Sequence, residues 1–301
     1  LFSGEAFHTS EWRSDVEFDG RRVAMLGNGS SGTQVGPYIA RRAEKFYALQ
    51  RSPHWIAPRP QAAAGPVDAG LRFLLEIPGF VAWYRLFLDY WSGDREFAKI
   101  VRDDNWPGPG ANEPNELFRK ELMAYINQKL EGRPDLIEKL TPSYPPYTKR
   151  LVVDNGWYDT LLRDDVDLVT DRIDRIVERG IALEGGGTVE ADVIVFATGF
   201  DTTKYVWPTE YTGRGGVSLE KAWERDGARA YLGMSVPGFP NFLMFYGPNS
   251  QPRAGALLPW VEVWAQYAAR LAVRLLEGGH DDFEVREEVF AEYNGLIDER
   301  L

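Results

Sequence analysis

The chain contains no cysteine in 301 residues. That absence removes disulfide staples, thiolate metal cages and any dithiol redox pair, and with the last it excludes disulfide-reductase chemistry. It suits a cytoplasmic protein without requiring that location. Histidine is nearly as scarce: His8, His54 and His280 stand too far apart for paired-ligand spacing such as HExxH, so no metal site is expected. Long uncharged apolar runs are missing as well. The most apolar stretch, Leu71 to Trp91, is broken by Arg72, Glu76, Pro78, Arg85 and Asp89, and no membrane span is expected. Positive charge is in deficit, with 34 Lys and Arg against 45 Asp and Glu and a net charge of -11. Such a surface repels a polyphosphate, which argues against nucleic acid as a partner. Any anion must be held at a local site.

Core material is plentiful. At 44% hydrophobic and 13% aromatic content, a chain of this length can fill two domains. The opening "FSGEAFHTSEW", Phe2 to Trp12, shows neither a helical period nor strand alternation and is read, within residues 1–20, as a linker. Residues 21–58 begin as βαβ: strand Arg22 to Leu26, a Gly-rich turn, helix Thr33 to Arg42 and strand Lys45 to Gln50. Residues 59–147 change texture to amphipathic patterns such as "NELFRKELMAYINQKL" and predict a helical insertion. Strand patterns return over 148–200, with hairpin turns at Gly180 and at Gly185 to Gly187, and a buried parallel strand in "DVIVFATG". Over 201–301 come short β segments, including "FPNFLMFYGPNS", and then the helix "PWVEVWAQYAARLAVRLLEGG".

The turn "GNGSSG", Gly27 to Gly32, fits GxGxxG. One glycine serves the tight turn, one the close approach of a pyrophosphate and one the packing of helix on strand. A structural Gly-rich turn is the plainer alternative, but a strand precedes and a helix follows. At the end of the second strand, where a diol-binding enzyme carries Asp or Glu, stands Arg51. A cation there pairs with a 2′-phosphate and selects NADP(H), the alternative being a solvated surface arginine. The YxxxK pair Tyr125 and Lys129 raises short-chain dehydrogenase chemistry, but it lies in an amphipathic helix far from the turn. There a solvated lysine is the ordinary outcome.

Together these residues resemble a known family. "FSGEAFHTSEW" resembles the FxGxxxHxxxW fingerprint of class B flavoprotein monooxygenases, with Phe2, Gly4, His8 and Trp12 in the fixed places. "GNGSSG" is similar to that family's second, NADPH-binding glycine motif, and "ATGFD" at 197–201 to the motif where its nucleotide domain rejoins the flavin domain. "QRSPHWIAPRP", "YPPYTKR", "DNGWYDTL" and "YGPNS" look most like Baeyer-Villiger monooxygenases of the 4-hydroxyacetophenone type.

The resemblance implies a Rossmann-like NADPH-binding domain with a helical insertion, plus part of a second, FAD-binding nucleotide domain. It implies oxidation of a ketone to an ester with O2, FAD and NADPH. Arg150 then stabilises negative charge in the reaction, and His8 either holds the linker or helps place the nicotinamide. Gly27, Gly29, Ser30, Ser31, Gly32, Gln34, Arg51, Lys149, Thr198 and Gly199 would bind cofactor, with Lys149 at the 2′-phosphate end. A structural pairing of Arg150 with Asp154 or Asp159 is the competing expectation, and a merely satisfied histidine competes at His8. Phe2 and Trp12 are expected to be packing anchors, and Trp55, Trp260 and Trp264 core.

Departures accompany the likeness. Arg13 stands where the Baeyer-Villiger version has Pro or Asp, and "QPRAGALLP" replaces a Gly-rich loop at the flavin and ketone site. The family's first GxGxxG, for the ADP part of FAD, belongs upstream of Leu1, so the chain is read as a fragment. Oxygenation at nitrogen or sulfur and a flavin-free nucleotide-binding module are the alternative functions.

Overall fold

The computed structural model describes residues 1–58, 67–252 and 255–300. The elements run β1 Glu5–His8, β2 Arg22–Leu26, α1 Ser30–Ala40, β3 Lys45–Leu49, β4 Ile56–Ala57, α2 Ala69–Glu76, α3 Phe80–Asp89 and α4 Arg95–Phe97. They continue through α5 Glu113–Lys129, α6 Pro134–Leu140, β5 Val152–Val153, α7 Trp157–Leu161, β6 Val166–Val169, β7 Ile173–Val177, β8 Gly180–Leu183 and β9 Thr188–Glu190. The last are β10 Val193–Phe196, α8 Leu219–Ala222, α9 Leu257–Glu277 and α10 Glu287–Asp298. They fall into two compact units, Leu1–Pro78 with Ala98–Phe200, and Gly79–Phe97 with Asp201–Leu301. The helical stretch read as one insertion over 59–147 is thus shared between units, and its residues 59–66 lie outside those described.

The first unit is built on a parallel sheet in the order β1-β10-β2-β3-β6. Because successive side chains of a strand face opposite sides, β2 sends Val23 and Met25 into one core and Ala24 and Leu26 into the other. In β10, Val193 and Val195 face the first core and Ile194 the second. Strands covered on both faces read as unbroken apolar runs, which is why "VIVF" and "VAML" do. The first core is roofed by α1, α7 and the insertion helices, whose Leu122, Ile126, Leu130, Leu136 and Leu140 are buried in it. The second is closed by the antiparallel sheet β7-β8-β9 through Ile181 and Val189.

The opening stretch departs from expectation. Glu5 to His8 forms an edge strand paired in parallel with β10, from Glu5 opposite Val193 to His8 opposite Phe196. Four residues are too few to show a period, and the partner lies far along the chain. Trp12 still packs, edge-on to Phe7 at 5.4 Å and tilted against Phe18 at 6.0 Å, while Phe2 lies against the second core.

The insertion is anchored by a buried carboxylate. Asp154 accepts hydrogen bonds from the Gly156 and Trp157 backbone N–H groups at 2.8 and 2.7 Å, capping α7, and from the Tyr125 hydroxyl on α5 at 2.8 Å. Burial, with the carboxylate beside it, pushes the Tyr125 phenol well above its ordinary pKa. Lys129 pairs with Asp159 at 2.6 Å. Both members of the YxxxK pattern are therefore committed to holding α5.

In the second unit, α8 and the loops around it close a small core of Leu219, Ala230, Val236, Phe239 and Met244. The short β segments expected beyond residue 200 are reduced, among the described residues, to single bridges, Thr212 with Ser218 and Tyr231 with Ser235. The expected long helix is α9, and α10 follows it. Arg85 of α3 bonds Glu262 of α9 at 2.6 Å. No helix among the described residues is long and apolar enough to cross a membrane.

Tyr125→Phe should leave one oxygen of buried Asp154 without its donor and cost about 1–3 kcal/mol. Urea unfolding of the variant should show a lower midpoint at an unchanged slope.

Candidate functional site

Most sequence-predicted site residues meet at the carboxyl ends of four adjacent parallel strands. His8 ends β1, Ala197 to Gly199 follow β10, the glycine turn follows β2, and Gln50 and Arg51 follow β3. Ligands bind in open α/β sheets at this edge, where the helix N-termini also point.

Backbone proximity dictates the turn. Gly27 adopts φ 108°, in the left-handed region, and a Cβ placed there would lie 2.3 Å from the Ala197 carbonyl oxygen. A Cβ at Gly32 would come within 2.2 Å of the Gly27 carbonyl oxygen. Gly29 is the opposite case, because a Cβ there meets nothing within 4 Å. Its side is left open, which leaves room for close approach to the backbone.

Helix α1 begins at Ser30, three residues earlier than the sequence pattern suggested, with Gly29 as its N-cap and no side-chain cap. The first intrahelical bond runs from Thr33 N–H to the Gly29 carbonyl at 3.0 Å. The N–H groups of Gly29, Ser30, Ser31 and Gly32 thus precede the helical ladder and have no acceptor among the described residues. Four such donors at the positive end of a helix form an anion site. Gln34 is exposed one turn on, its amide donating to the Ser30 carbonyl at 2.8 Å.

Two cations flank the turn. Arg51 is exposed and has no ion pair or hydrogen bond among the described residues. Lys149 donates to the Ser52 hydroxyl at 2.9 Å and lies 4.8 Å from the centre of the Tyr144 ring, so it is held beside Arg51's neighbour. Tyr144 is fixed in turn by donating its hydroxyl to the Pro53 carbonyl at 2.6 Å.

Arg150 follows Lys149, but the two do not alternate along a strand as expected. They sit in an irregular stretch ahead of β5, which begins at Val152 and pairs with β4. Arg150 pairs with neither Asp154 nor Asp159, whose partners are Tyr125 and Lys129. It is exposed and carries an uncommitted charge among the described residues.

His8 is half-buried. Its Nδ1 accepts the Ser10 backbone N–H at 3.1 Å and lies 2.7 Å from the Ser10 hydroxyl. An accepting Nδ1 puts the neutral ring's proton on Nε2, which meets no partner among the described residues. Phe200 stands edge-on to the ring at 5.6 Å. Thr198 and Gly199 are exposed beside them.

Of the tryptophans, Trp55 and Trp264 are buried as expected, whereas Trp260 is 47% exposed and belongs to no core. Residues 253 and 254, within the predicted flavin-lining loop 246–260, lie outside the described residues, as do 59 and 60 of "QRSPHWIAPRP". No group of three or more His, Asp or Glu among the described residues could hold a metal ion.

Sequence reasoning passed over His54. Its Nδ1 is buried without a partner, and burial first, then the Lys149 charge, hold its pKa below the ordinary value. A base depressed in the folded state stabilises above its unfolded value, about 6.5, and that stability is lost as pH falls through the folded value. Unfolding free energy measured by urea from about pH 7.5 down to about pH 5 should therefore fall, and His54→Gln should flatten the fall.

The model of the flavin-binding monooxygenase-like family matches residues 1–75. A monooxygenase of Sinorhizobium fredii, y4iD, is 40% identical over 98% of this chain and 45% of its own length. A Baeyer-Villiger monooxygenase of Streptomyces coelicolor is 30% identical over 100% of this chain and 56% of its own. The solved structure of an oxidised steroid monooxygenase bound to NADP superposes with a TM-score of 0.79 at 30% identity, covering 97% of this chain and 60% of that one. The chain spans about half the length of these curated relatives. Its parallel sheet resembles the nucleotide-binding domains of such structures, and over nearly its whole length the chain is similar to flavin monooxygenases of the class B, Baeyer-Villiger-like kind.

Proposed function

We propose that the complete protein is an FAD- and NADPH-dependent monooxygenase that converts a ketone to an ester with O2, and that the first unit supplies its NADP(H) cradle. In this reading the second unit is part of the flavin domain. The observation that carries it is the glycine turn: four unpartnered N–H groups at the start of α1, an open face at Gly29 and two cations, Arg51 and Lys149, at one side.

The residues fit the nucleotide. The pyrophosphate would lie on the N–H groups of Gly29 to Gly32, its approach permitted by the missing side chain at Gly29. The 2′-phosphate would meet Arg51, with Lys149 and Ser52 completing the contact. Charge-assisted bonds of this kind are the strong ones. We assign this cradle to NADP(H).

When bound, the nicotinamide supplies hydride and the flavin supplies oxygen activation. The protein's own part is electrostatic and positional. Arg150, free of any carboxylate partner among the described residues, would provide fixed positive charge where negative charge develops on reacting oxygen. His8, with Nδ1 occupied by Ser10, has an Nε2–H to offer the nicotinamide carboxamide. Thr198 and Gly199, exposed at the end of β10, line the same edge of the sheet.

Arg51→Ala should weaken NADP+ binding by about 10- to 100-fold with little change for NAD+, as titration with each nucleotide would read. In the complete polypeptide, Arg150→Ala should still allow NADPH to reduce the flavin while ester formation from a ketone is lost. Unchanged ester formation removes Arg150 from the reaction, and a sulfoxide formed from a sulfide with no ester from a ketone overturns the ketone assignment.

A further inference from the structure

The glycine turn is tied to the helical insertion by a buried chain of amides that the dinucleotide motif does not require. Asn28, the second residue of the turn, donates its Nδ2–H to Gln50 Oε1 at 2.6 Å. Gln50 donates its Nε2–H to the Lys139 carbonyl at 2.8 Å. Both side chains are sealed from solvent, 6% exposed for Asn28 and 4% for Gln50.

The direction of the chain follows from chemistry. A carbonyl only accepts, so Gln50 must turn its NH2 toward Lys139 and its oxygen toward Asn28, which must answer with NH2. Lys139 lies in the last turn of α6, where carbonyls have no donor within the helix. Gln50 thus satisfies an orphan acceptor of the insertion with one end of its amide and grips the turn with the other. Its backbone N–H donates to the Val169 carbonyl at 2.8 Å, fixing the main chain between the ends of β3 and β6. The next residue is Arg51.

We propose that Gln50 is a positioning residue for Arg51. Through it, the insertion helix α6 sets where the 2′-phosphate cation stands relative to the glycine turn, and so makes the preference for a 2′-phosphorylated nucleotide depend on the insertion. The inference rests on the NADP(H) reading of this site. A Gln50 that merely stabilised the fold would lower stability and weaken all nucleotides alike; a Gln50 that aims Arg51 acts selectively on the 2′-phosphate.

The test is equilibrium titration of the full chain with NADP+, NAD+ and 2′,5′-ADP, for the wild type and for Gln50→Met, which keeps the length and removes both hydrogen bonds. The dissociation constants for NADP+ and 2′,5′-ADP should rise about tenfold, and that for NAD+ by no more than about twofold. Gln50→Asn retains the amide but is one methylene too short to reach both partners. It carries the same expectation and serves if the methionine variant fails to fold. A parallel loss for all three ligands, or no loss, overturns the positioning role. A wild type that binds NAD+ as tightly as NADP+ overturns the NADP(H) reading and this inference with it, whereas a preference kept by the wild type and both variants overturns this inference alone.

Discussion

Absence of a side chain at Gly27 is the constraint on which the candidate site depends. The end of β2 and the end of β10 run so close that any Cβ at Gly27 would collide with the Ala197 carbonyl. The same bend brings the Gly27 carbonyl onto Gly32, so the chain enters α1 without a gap. Only this tight geometry aims the free N–H groups of Gly29 to Gly32 outward from the sheet edge. His8, Thr198 and Gly199 stand beside them because their strands are register-paired with β2 or its neighbour. Packing and site are therefore one arrangement: the contacts that exclude a methyl group at Gly27 also form the anion cradle.

Several polar groups of the first unit are committed to specific partners. Asp154 spends its charge on Tyr125 and on the first turn of α7, Asp159 on Lys129, and the amides of Asn28 and Gln50 on each other and on α6. Arg51 and Arg150 are exposed cations without an ion-pair partner among the described residues, in a chain of net charge -11. In an acidic protein, an anion proposed to bind at the glycine turn would have to be held by local placement of donors and of the neighbouring Arg51 and Lys149. The surrounding surface repels other polyanions.

Much of this was legible in the sequence, for physical reasons. Apolar runs buried on both faces betray central parallel strands, so β2, β3 and β10 were readable, and glycines at positive φ betray turns, so the β7-β8-β9 hairpins were too. What escaped was non-local. β1 is four residues long and owes its existence to β10, and β4 and β5 are two residues each, held by one another. With β5 so short, Lys149 and Arg150 precede it in an irregular stretch, which strand alternation could not anticipate. Asn28 and Gln50 read as ordinary polar residues of a turn and a strand end, because their partner is a backbone carbonyl from the insertion. The family likeness supplied roles for His8 and Arg150 that no period or spacing contained. The structure adds the free Nε2 of the one and the uncommitted charge of the other.

The central claim is that a 2′-phosphorylated dinucleotide sits on the α1 N-terminus between the glycine turn and Arg51. A crystal structure of the chain with NADP+ tests it most directly. The account predicts the pyrophosphate within hydrogen-bond distance of the Gly29 to Gly32 backbone and the 2′-phosphate in contact with Arg51 and Lys149. A nucleotide bound elsewhere, or one whose 2′-phosphate points to solvent away from both cations, would contradict it.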